Sequence, residues 1–432
     1  MTRGSDTIFA LSSGQPPAAI AVLRISGPDA LDAARAVTGR ALPESRQAVL
    51  RRFTDPATGE TIDEGLLIWF PATQSVTGEP LVELHCHGGR AVVRDLQAVL
   101  ATLPRLRSAE AGDFTRRAFA NGRMDLSSIE GLGDLLAAET ALQRRVAMAM
   151  MSGALSRRIE AWTGQLRRVA AQIEAQLDFS DEGDVEVSVT LAGFAGDCAN
   201  VASAMEAELA KPSVDRLRDG VRVAIGGPPN AGKSTLFNQL VGRDAAIVSP
   251  LAGTTRDVIE ASVAMSGIPM VIADSAGLRE SGDPIEQLGI GRAEALLAGA
   301  DIVLWLGTPD ERPVTDGVVF QIHAKCDLAE AAAGSDLSVS AMTGEGVDEL
   351  ISLLCAAARN LLPQPGDYAL SQRQRGVLAR AAFALREVAS LEDEILVGEC
   401  LRLALSTLDE LTGRVTTEAM LDELFSGFCI GK

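Results

Sequence analysis

The sequence predicts a multidomain α/β plus α chain: an N-terminal α+β domain, then a discontinuous helical domain with a P-loop α/β domain inserted into it. Three observations predict this. The run Val221 to Ile225 reads as a buried strand. It enters the loop Gly227-Pro228-Pro229-Asn230-Ala231-Gly232-Lys233-Ser234, and Leu236, Phe237, Leu240 and Val241 follow at helical spacing. Across 215–365, strand-like runs alternate with helical patterns, which implies a mostly parallel sheet. Helical periodicity fills the chain on both sides of that segment, over 119–214 and 366–432, so the α/β part reads as an insertion.

Residues 1–118 are mixed. Ala18 to Ile25 reads as a buried strand ending in Ser26-Gly27-Pro28, and 29–37 as a helix. Leu66 to Phe70 and Leu81 to Cys86 read as strands, and Val92 to Leu103 as an amphipathic helix. The two-residue strand period puts Glu83, His85 and His87 on one face and Val82, Leu84 and Cys86 on the other. Paired histidines invite a metal, but the chain has three histidines in all and no third ligand is in sight. A polar strand face is the better reading. Glu83 differs, because a carboxylate can accept paired hydrogen bonds from an amidine-like ligand edge.

From 119 to 214, Ile159, Trp162, Leu166, Val169, Ile173 and Leu177 fall on one stripe, which reads as helix-packing core. The acidic run Asp178 to Asp184 reads as a solvated loop between helices. In 215–365, strands are expected at 221–226, 258–265, 269–273, 301–306, 318–323 and 337–340. From 372 onward helical patterning returns, with Val397, Leu401, Ala404, Leu405, Leu408 and Leu411 as its clearest stripe.

The net charge of −19 argues against an autonomous nucleic-acid binder, since phosphate affinity comes mostly from Lys and Arg. An RNA substrate would need a local basic patch or a basic partner, and no basic appendage stands out. The six cysteines show neither zinc-ligand nor disulfide-framework spacing, which suggests a reducing, cytoplasmic setting. The first residues lack the apolar core of a signal peptide. No stretch approaches about 20 apolar residues, so no membrane span is expected.

The glycine loop is built to cradle phosphates. Its backbone N–H groups turn inward, Lys233 supplies a point charge, Ser234 offers a hydroxyl to Mg²⁺, and the following helix adds its positive end. Asn230, Ala231, Gly232, Lys233, Ser234 and Thr235 are the candidate contacts. This loop alone fits ATP or GTP. Three later motifs choose between them. Gly253-Thr254-Thr255-Arg256-Asp257 stands where a switch threonine would close on Mg²⁺. Asp274-Ser275-Ala276-Gly277 fits D-x-x-G, whose Asp reaches Mg²⁺ through water and whose Gly N–H senses the γ-phosphate. Lys325-Cys326-Asp327 fits the end of N-K-x-D, and Asp327 can accept from guanine N1–H and the 2-amino group. Adenine lacks that pair of donors. Ser340-Ala341 matches a base-contacting loop. The P-loop domain is therefore expected to be a Ras-like G domain that hydrolyses GTP. Ala324 stands where N-K-x-D has Asn, which should weaken the grip on the base by about 1 kcal/mol. The water-positioning Gln of Ras-like proteins is also absent, with Leu278 in its place. Glu280 and Glu286 are acidic alternatives, and Arg256 and Arg279 are candidate charge stabilisers.

These residues resemble the MnmE (TrmE) family of tRNA modification GTPases over nearly the whole chain. The marks are Leu23-Arg24-Ile25-Ser26-Gly27, His87-Gly88-Gly89, Phe114-Thr115-Arg116-Arg117-Ala118-Phe119, the P-loop, Gly253 to Asp257, and the terminal Phe428-Cys429-Ile430-Gly431-Lys432. The resemblance implies a domain plan of 1–118 for folate binding and dimerisation, 119–214 helical, 215–365 G domain, and 366–432 helical with the terminal motif. It implies a G domain activated by its own dimerisation in K⁺. Asn230 would be the side-chain ligand of K⁺, with carbonyls near Ser249, Leu251 and Thr254, and this ion would replace an arginine finger. Ser234 and Thr255 match Mg²⁺ ligands, and Glu286 the water-orienting acid. Arg24, Glu83, Arg123 and Lys432 match contacts to a tetrahydrofolate derivative, in its 5-formyl or methylene form, and Cys429 a terminal cysteine near it. The implied partners are a second copy of the chain, the FAD-dependent protein MnmG, and tRNA. The implied product is a carboxymethylaminomethyluridine-type group at C5 of the wobble uridine, U34. The alternative class is a regulatory P-loop GTPase of ribosome assembly without folate chemistry, and the terminal motif and the N-terminal domain argue against it. Cys429 also stands four from the end, but Gly431 and Lys432 do not suit a lipidation signal.

Overall fold

The computed structural model describes residues 6–179, 191–243, 259–275, 286–328, 334–364, 366–415, 417–428, 430 and 431. The chain divides into two compact units, Met1–Gly133 with Asp409–Lys432, and Asp134–Leu408.

In the first unit, β1 (Thr7–Leu11), β2 (Ile20–Ser26), β3 (Val49–Thr54), β4 (Thr61–Phe70), β5 (Leu81–His87) and β6 (Leu106–Ser108) form one sheet in the order β3-β4-β5-β2-β1-β6. All neighbours are antiparallel except β6, which joins β1 in parallel. One face buries Phe9, Leu23, Ile25, Leu67, Val82, Leu84 and Cys86 against α1 (Ala30–Thr38) and α2 (Arg90–Thr102). The apolar half of β5 therefore faces the helices, as its alternation requires, and Glu83 and His85 lie on the other face. Over part of that second face, Phe114 of α3 (Asp113–Ala120) packs with Ile8, Ala10 and Ala109.

The end of the chain belongs to this unit. Phe425, at the end of α14 (Glu418–Ser426), and Phe428 pack with Ile129 of α4 (Leu126–Ala137) and with Phe119. Arg116 reinforces the contact, its guanidinium 4.9 Å from the Phe425 ring and 2.5 Å from Asp422. Ile430 bridges Ala111 in antiparallel fashion, and the Gly431 carbonyl accepts from the Ser12 hydroxyl at 2.9 Å. By its contacts the chain thus divides after Gly133 and before Asp409. The cause is this aromatic cluster, whose members come from both ends of the expected helical domain.

In the second unit, β7 (Val221–Gly226), β8 (Ile259–Met265), β9 (Ile268–Asp274), β10 (Ile302–Trp305), β11 (Val318–Ala324) and β12 (Leu337–Val339) form a sheet in the order β12-β11-β10-β7-β9-β8. Only β8 runs antiparallel to its neighbour. The six strands fall where the sequence predicts them, within about one residue at each end. The core joins Ile225, Ile272 and Leu304 of the strands to Leu236 and Leu240 of α9 (Lys233–Arg243) and to Leu350 and Leu354 of α11 (Val347–Leu361). The remaining helices of the unit are α5 (Ala141–Met151), α6 (Ala154–Phe179), α7 (Leu191–Leu209), α8 (Asp215–Asp219), α10 (Glu286–Ala298), α12 (Gln372–Glu387) and most of α13 (Glu394–Thr412). On α6 the predicted stripe Ile159, Trp162, Leu166, Val169 and Ile173 is buried, as are Val397, Leu401, Ala404 and Leu408 on α13. Among the described residues, no helix is long and apolar enough to cross a membrane.

Gly112 tests the seat of the C-terminal helix. Its φ is 72°, and a Cβ there would lie 2.4 Å from the Phe425 carbonyl oxygen. Gly112→Ala is expected to cost about 2–3 kcal/mol. Gly122→Ala has a φ of 65° and no atom within 4 Å of the added carbon, and should cost only about 1 kcal/mol. Hydrogen exchange of the β2 and β5 amides measures both.

Candidate functional site

The phosphate cradle is assembled by the sheet. β7 ends at Gly226 and α9 begins at Lys233, with the glycine loop between them. Gly227 takes a φ of 146°, and a Cβ there would lie 3.1 Å from the Leu306 carbonyl carbon, so the loop's entry requires glycine. Asn230 holds a left-handed φ of 63°, a conformation that Asn tolerates better than most side chains. Lys233 is buried, and its Nζ donates to the Gly227 and Pro228 carbonyls at 3.0 and 2.8 Å. The ammonium is therefore folded back under the loop, where its charge faces the space the loop encloses.

Parallel pairing of β7 with β9 sets Asp274 opposite Ile225. The Ser234 hydroxyl donates to Asp274 Oδ2 at 2.6 Å, and the Ser275 hydroxyl donates to the Ile225 carbonyl at 2.8 Å. A hydroxyl and a carboxylate held this close form a hard-oxygen donor pair, which suits Mg²⁺ with water completing its shell.

The base side comes from β11 and β12. Lys325 has a left-handed φ of 62°, and its Nζ donates to the Asn230 carbonyl at 2.7 Å. This bond ties the turn after β11 to the glycine loop. The turn is closed by Leu328 N–H to the Lys325 carbonyl at 2.9 Å and by Cys326 N–H to the Val339 carbonyl at 3.2 Å. Ser340 is fully buried, and its hydroxyl accepts from Thr343 N–H at 3.2 Å. A cavity of about 100 Å³ lies between these parts, lined by Gly232, Thr235, Ala324, Lys325, Asp327, Ser340 and Ala341. The Lys325 bond to the loop carbonyl has no sequence signal beyond the motif itself. Gly277, Ser249, Leu251, Thr254, Thr255, Cys429 and Lys432 lie outside the described residues. Glu286 opens α10, and its side chain is likewise outside the description.

A second polar site lies on the sheet of the first unit. Arg24 and Glu83 face each other across β2 and β5. Arg24 Nε and Nη2 donate to Glu83 Oε1 at 3.1 and 2.7 Å, while His85 Nε2 lies 3.2 Å from Oε2. Burial pushes the Glu83 carboxyl up, but the Arg24 and His85 bonds overcome this and hold it below its ordinary value. Oε1 accepts both Arg24 bonds, whereas Oε2 keeps a lone pair, so Glu83 can still accept from a ligand edge. Arg123 Nη2 donates to the Ala72 carbonyl at 2.6 Å, and no contact joins it to Glu83 among the described residues.

His87 turns to Asp63, with Nδ1 to Oδ1 at 2.8 Å, a partner that spacing does not reveal. Among the described residues no group of three or more His, Cys, Asp or Glu could hold a metal. Burial raises the Cys86 thiol to about 11, which makes it a poor nucleophile. Arg117 is a strut: Nη1 donates to Glu79 at 2.7 Å and to the Ser26 carbonyl at 3.1 Å, and Nη2 to Asp6 at 2.9 Å.

A six-stranded sheet with one antiparallel edge, a glycine loop after its central strand and a base-side turn tied to that loop define a G domain of the P-loop class. The N-terminal sheet and the helices on either side of the insertion narrow the assignment. Residues 7–123 match the family model of the GTP-binding protein TrmE N-terminus, and 126–429 that of the MnmE helical domain. The tRNA modification GTPase MnmE of Erythrobacter litoralis is 52% identical over 430 residues, covering 99% of this chain and all of its own. Those of Rhizorhabdus wittichii and Zymomonas mobilis are 53% and 50% identical, each over 99% of this chain and 97% and 100% of their own. The chain belongs to the MnmE family of tRNA modification GTPases.

Glu83 gives a pH test. Because its folded pKa is depressed, its stabilisation is present above the ordinary value of 4.5 and is lost as pH falls through the lower folded value. Glu83→Gln should cost the first unit about 1–2 kcal/mol at pH 7. Below the folded pKa the two proteins should converge, as read by hydrogen exchange of β2 and β5 across the acid range.

Proposed function

We propose that this chain hydrolyses GTP to drive conformational change in the modification of the wobble uridine U34 of certain tRNAs at C5. It would act as a homodimer with MnmG in the cytoplasm. The observation that carries the GTP reading is the Lys325 bond to the Asn230 carbonyl, because it sets the Asp327 turn beside the phosphate cradle.

In this reading, Asp327 accepts from guanine N1–H and the 2-amino group, and the backbone after Ser340, at Ala341, donates to O6. Lys233 exchanges its loop carbonyls for the β- and γ-phosphate oxygens. Ser234 and Thr255 would hold Mg²⁺, whose charge would neutralise those oxygens, and Asp274 would accept from a water beside it. Asn230, with carbonyls near Ser249, Leu251 and Thr254, would hold K⁺, which would supply positive charge beside the phosphates in place of an arginine finger. Gly277 senses the γ-phosphate, and Glu286 orients the attacking water directly or through a second water. Arg24 and Glu83 present the donor and acceptor edge for a reduced pterin, supported by Arg123 and Lys432. Their pairing fits such a ligand, since both groups already point from the sheet face that α1 and α2 leave open. These residues would hold a tetrahydrofolate derivative in its 5-formyl or methylene form, which would supply a one-carbon unit there, with Cys429 as the matching terminal cysteine.

Three experiments test this. Glu286→Ala should keep GTP affinity within about twofold and lower turnover roughly a hundredfold. The unaltered chain should turn over faster in K⁺ than in Na⁺, and Asn230→Ala should erase that difference. Unchanged turnover in the first, or equal rates in the two salts, counts against the corresponding role. Asp327→Asn should move the preference from GTP toward XTP, because xanthine carries a carbonyl where guanine has its 2-amino group. Competition binding reads that shift.

A further inference from the structure

The face of α6, together with α5, has a charge that the rest of the chain does not share. Residues 141–179 hold six arginines (144, 145, 157, 158, 167 and 168) against Glu160, Glu174 and Asp178, a net of +3 in a chain of −19. All six are exposed. Several exposed arginines elsewhere in this unit are committed to carboxylates: Arg218 to Asp134, Arg216 to Asp301, and Arg386 to Glu206. On α5 and α6 only Arg158 is so placed, 3.8 Å from Glu208 and over the Trp162 ring. Arg144, Arg145, Arg157, Arg167 and Arg168 have no ion pair among the described residues.

Two features make this more than a solvated stripe. Arg157 Nη1 is fastened to the Ser152 carbonyl at 2.7 Å and Arg145 Nε to the Ala141 carbonyl at 3.1 Å, so two of the cations are held in place before any ligand arrives. Arg157 and Arg168 are three helical turns apart on one line, about 16 Å, with only Ala161 and Gly164 between them on that line. A groove of about 390 Å³ opens beside Arg168, between α6 and α7, and its lining includes Gln165, Gln172, Asp197 and Asn200. Amides and a carboxylate beside a cation suit ribose hydroxyls next to a phosphate, the pairing that distinguishes RNA.

We propose that the α5–α6 arginine face docks the phosphate backbone of the tRNA, with the Gln165–Asn200 groove receiving a ribose. This rests on the reading that the chain handles tRNA. It supplies the local basic patch that an RNA substrate would need: the patch is hidden in the chain's overall charge because the remaining residues carry −22.

The test is equilibrium binding of tRNA to the full chain at several salt concentrations, comparing the unaltered protein, Arg157→Ala/Arg168→Ala and Arg157→Lys/Arg168→Lys. The alanine pair should weaken binding about tenfold or more and lower the log–log salt slope by about 1.8, which is two phosphate contacts. The lysine pair should restore most of the slope, which a purely structural role would not do. GTP affinity of all three should agree, which shows that the P-loop domain is intact. Equal affinity and slope for the unaltered and alanine proteins overturn the proposal and leave the face to another partner. If the unaltered chain shows no salt-dependent tRNA binding, the docking face and direct tRNA handling by this chain both fall, while the GTP reading stands.

Discussion

Parallel pairing at the centre of the second sheet is the constraint on which the candidate chemistry depends. β10, β7 and β9 run the same way, as do β11 and β12, so their carboxyl ends share one edge. A parallel strand needs a crossover, and each crossover leaves a loop at that edge. The glycine loop, Asp274, Lys325 and Ser340 are thereby brought together from four separate stretches of chain. The bonds from Ser234 to Asp274 and from Lys325 to the Asn230 carbonyl are the local result. Weakening any of these strands would scatter the site before touching a functional side chain.

The sheet of the first unit solves a different problem. One face is closed by two helices, and the other carries charge. Arg24 and Glu83 remain on that face because they satisfy each other: a guanidinium and a carboxylate at 17–23% exposure would be costly singly. The same pairing keeps Glu83 ionised, so it can act as an acceptor at neutral pH. The end of the chain is fixed to this unit by shape. Phe425 and Phe428 need an apolar seat, and Gly112 allows the helix to approach by having no side chain there.

How much of this the sequence shows depends on the range of the interaction. All six strands of the second sheet were legible, because each is a short apolar run bounded by motif residues or turns. In the first sheet β1, β3 and β6 were not. β3 reads Val-Leu-Arg-Arg-Phe-Thr, where two adjacent arginines break the alternation, and β6 is three residues long. The P-loop and Asp274 were legible as motifs, and Glu83 as one face of a strand. The Arg24–Glu83 bond spans 59 residues and the Ser12–Gly431 bond 419, and no local period reports contacts at such separations. For the same reason the aromatic cluster that draws Phe428 to the first unit was not visible. The arginine face escaped notice because net charge averages over the whole chain, whereas a phosphate backbone meets only one face.

We propose that the Asp327 carboxylate gives this GTPase its selectivity for guanine, even with alanine at 324. The most direct measurement is GTP hydrolysis by the purified full chain with excess ATP or ITP as competitor. ITP keeps O6 and N1–H but lacks the 2-amino group, so the account predicts that ITP at tenfold excess slows GTP turnover in part, while ATP at the same excess leaves it unchanged. Equal competition by ATP would contradict it.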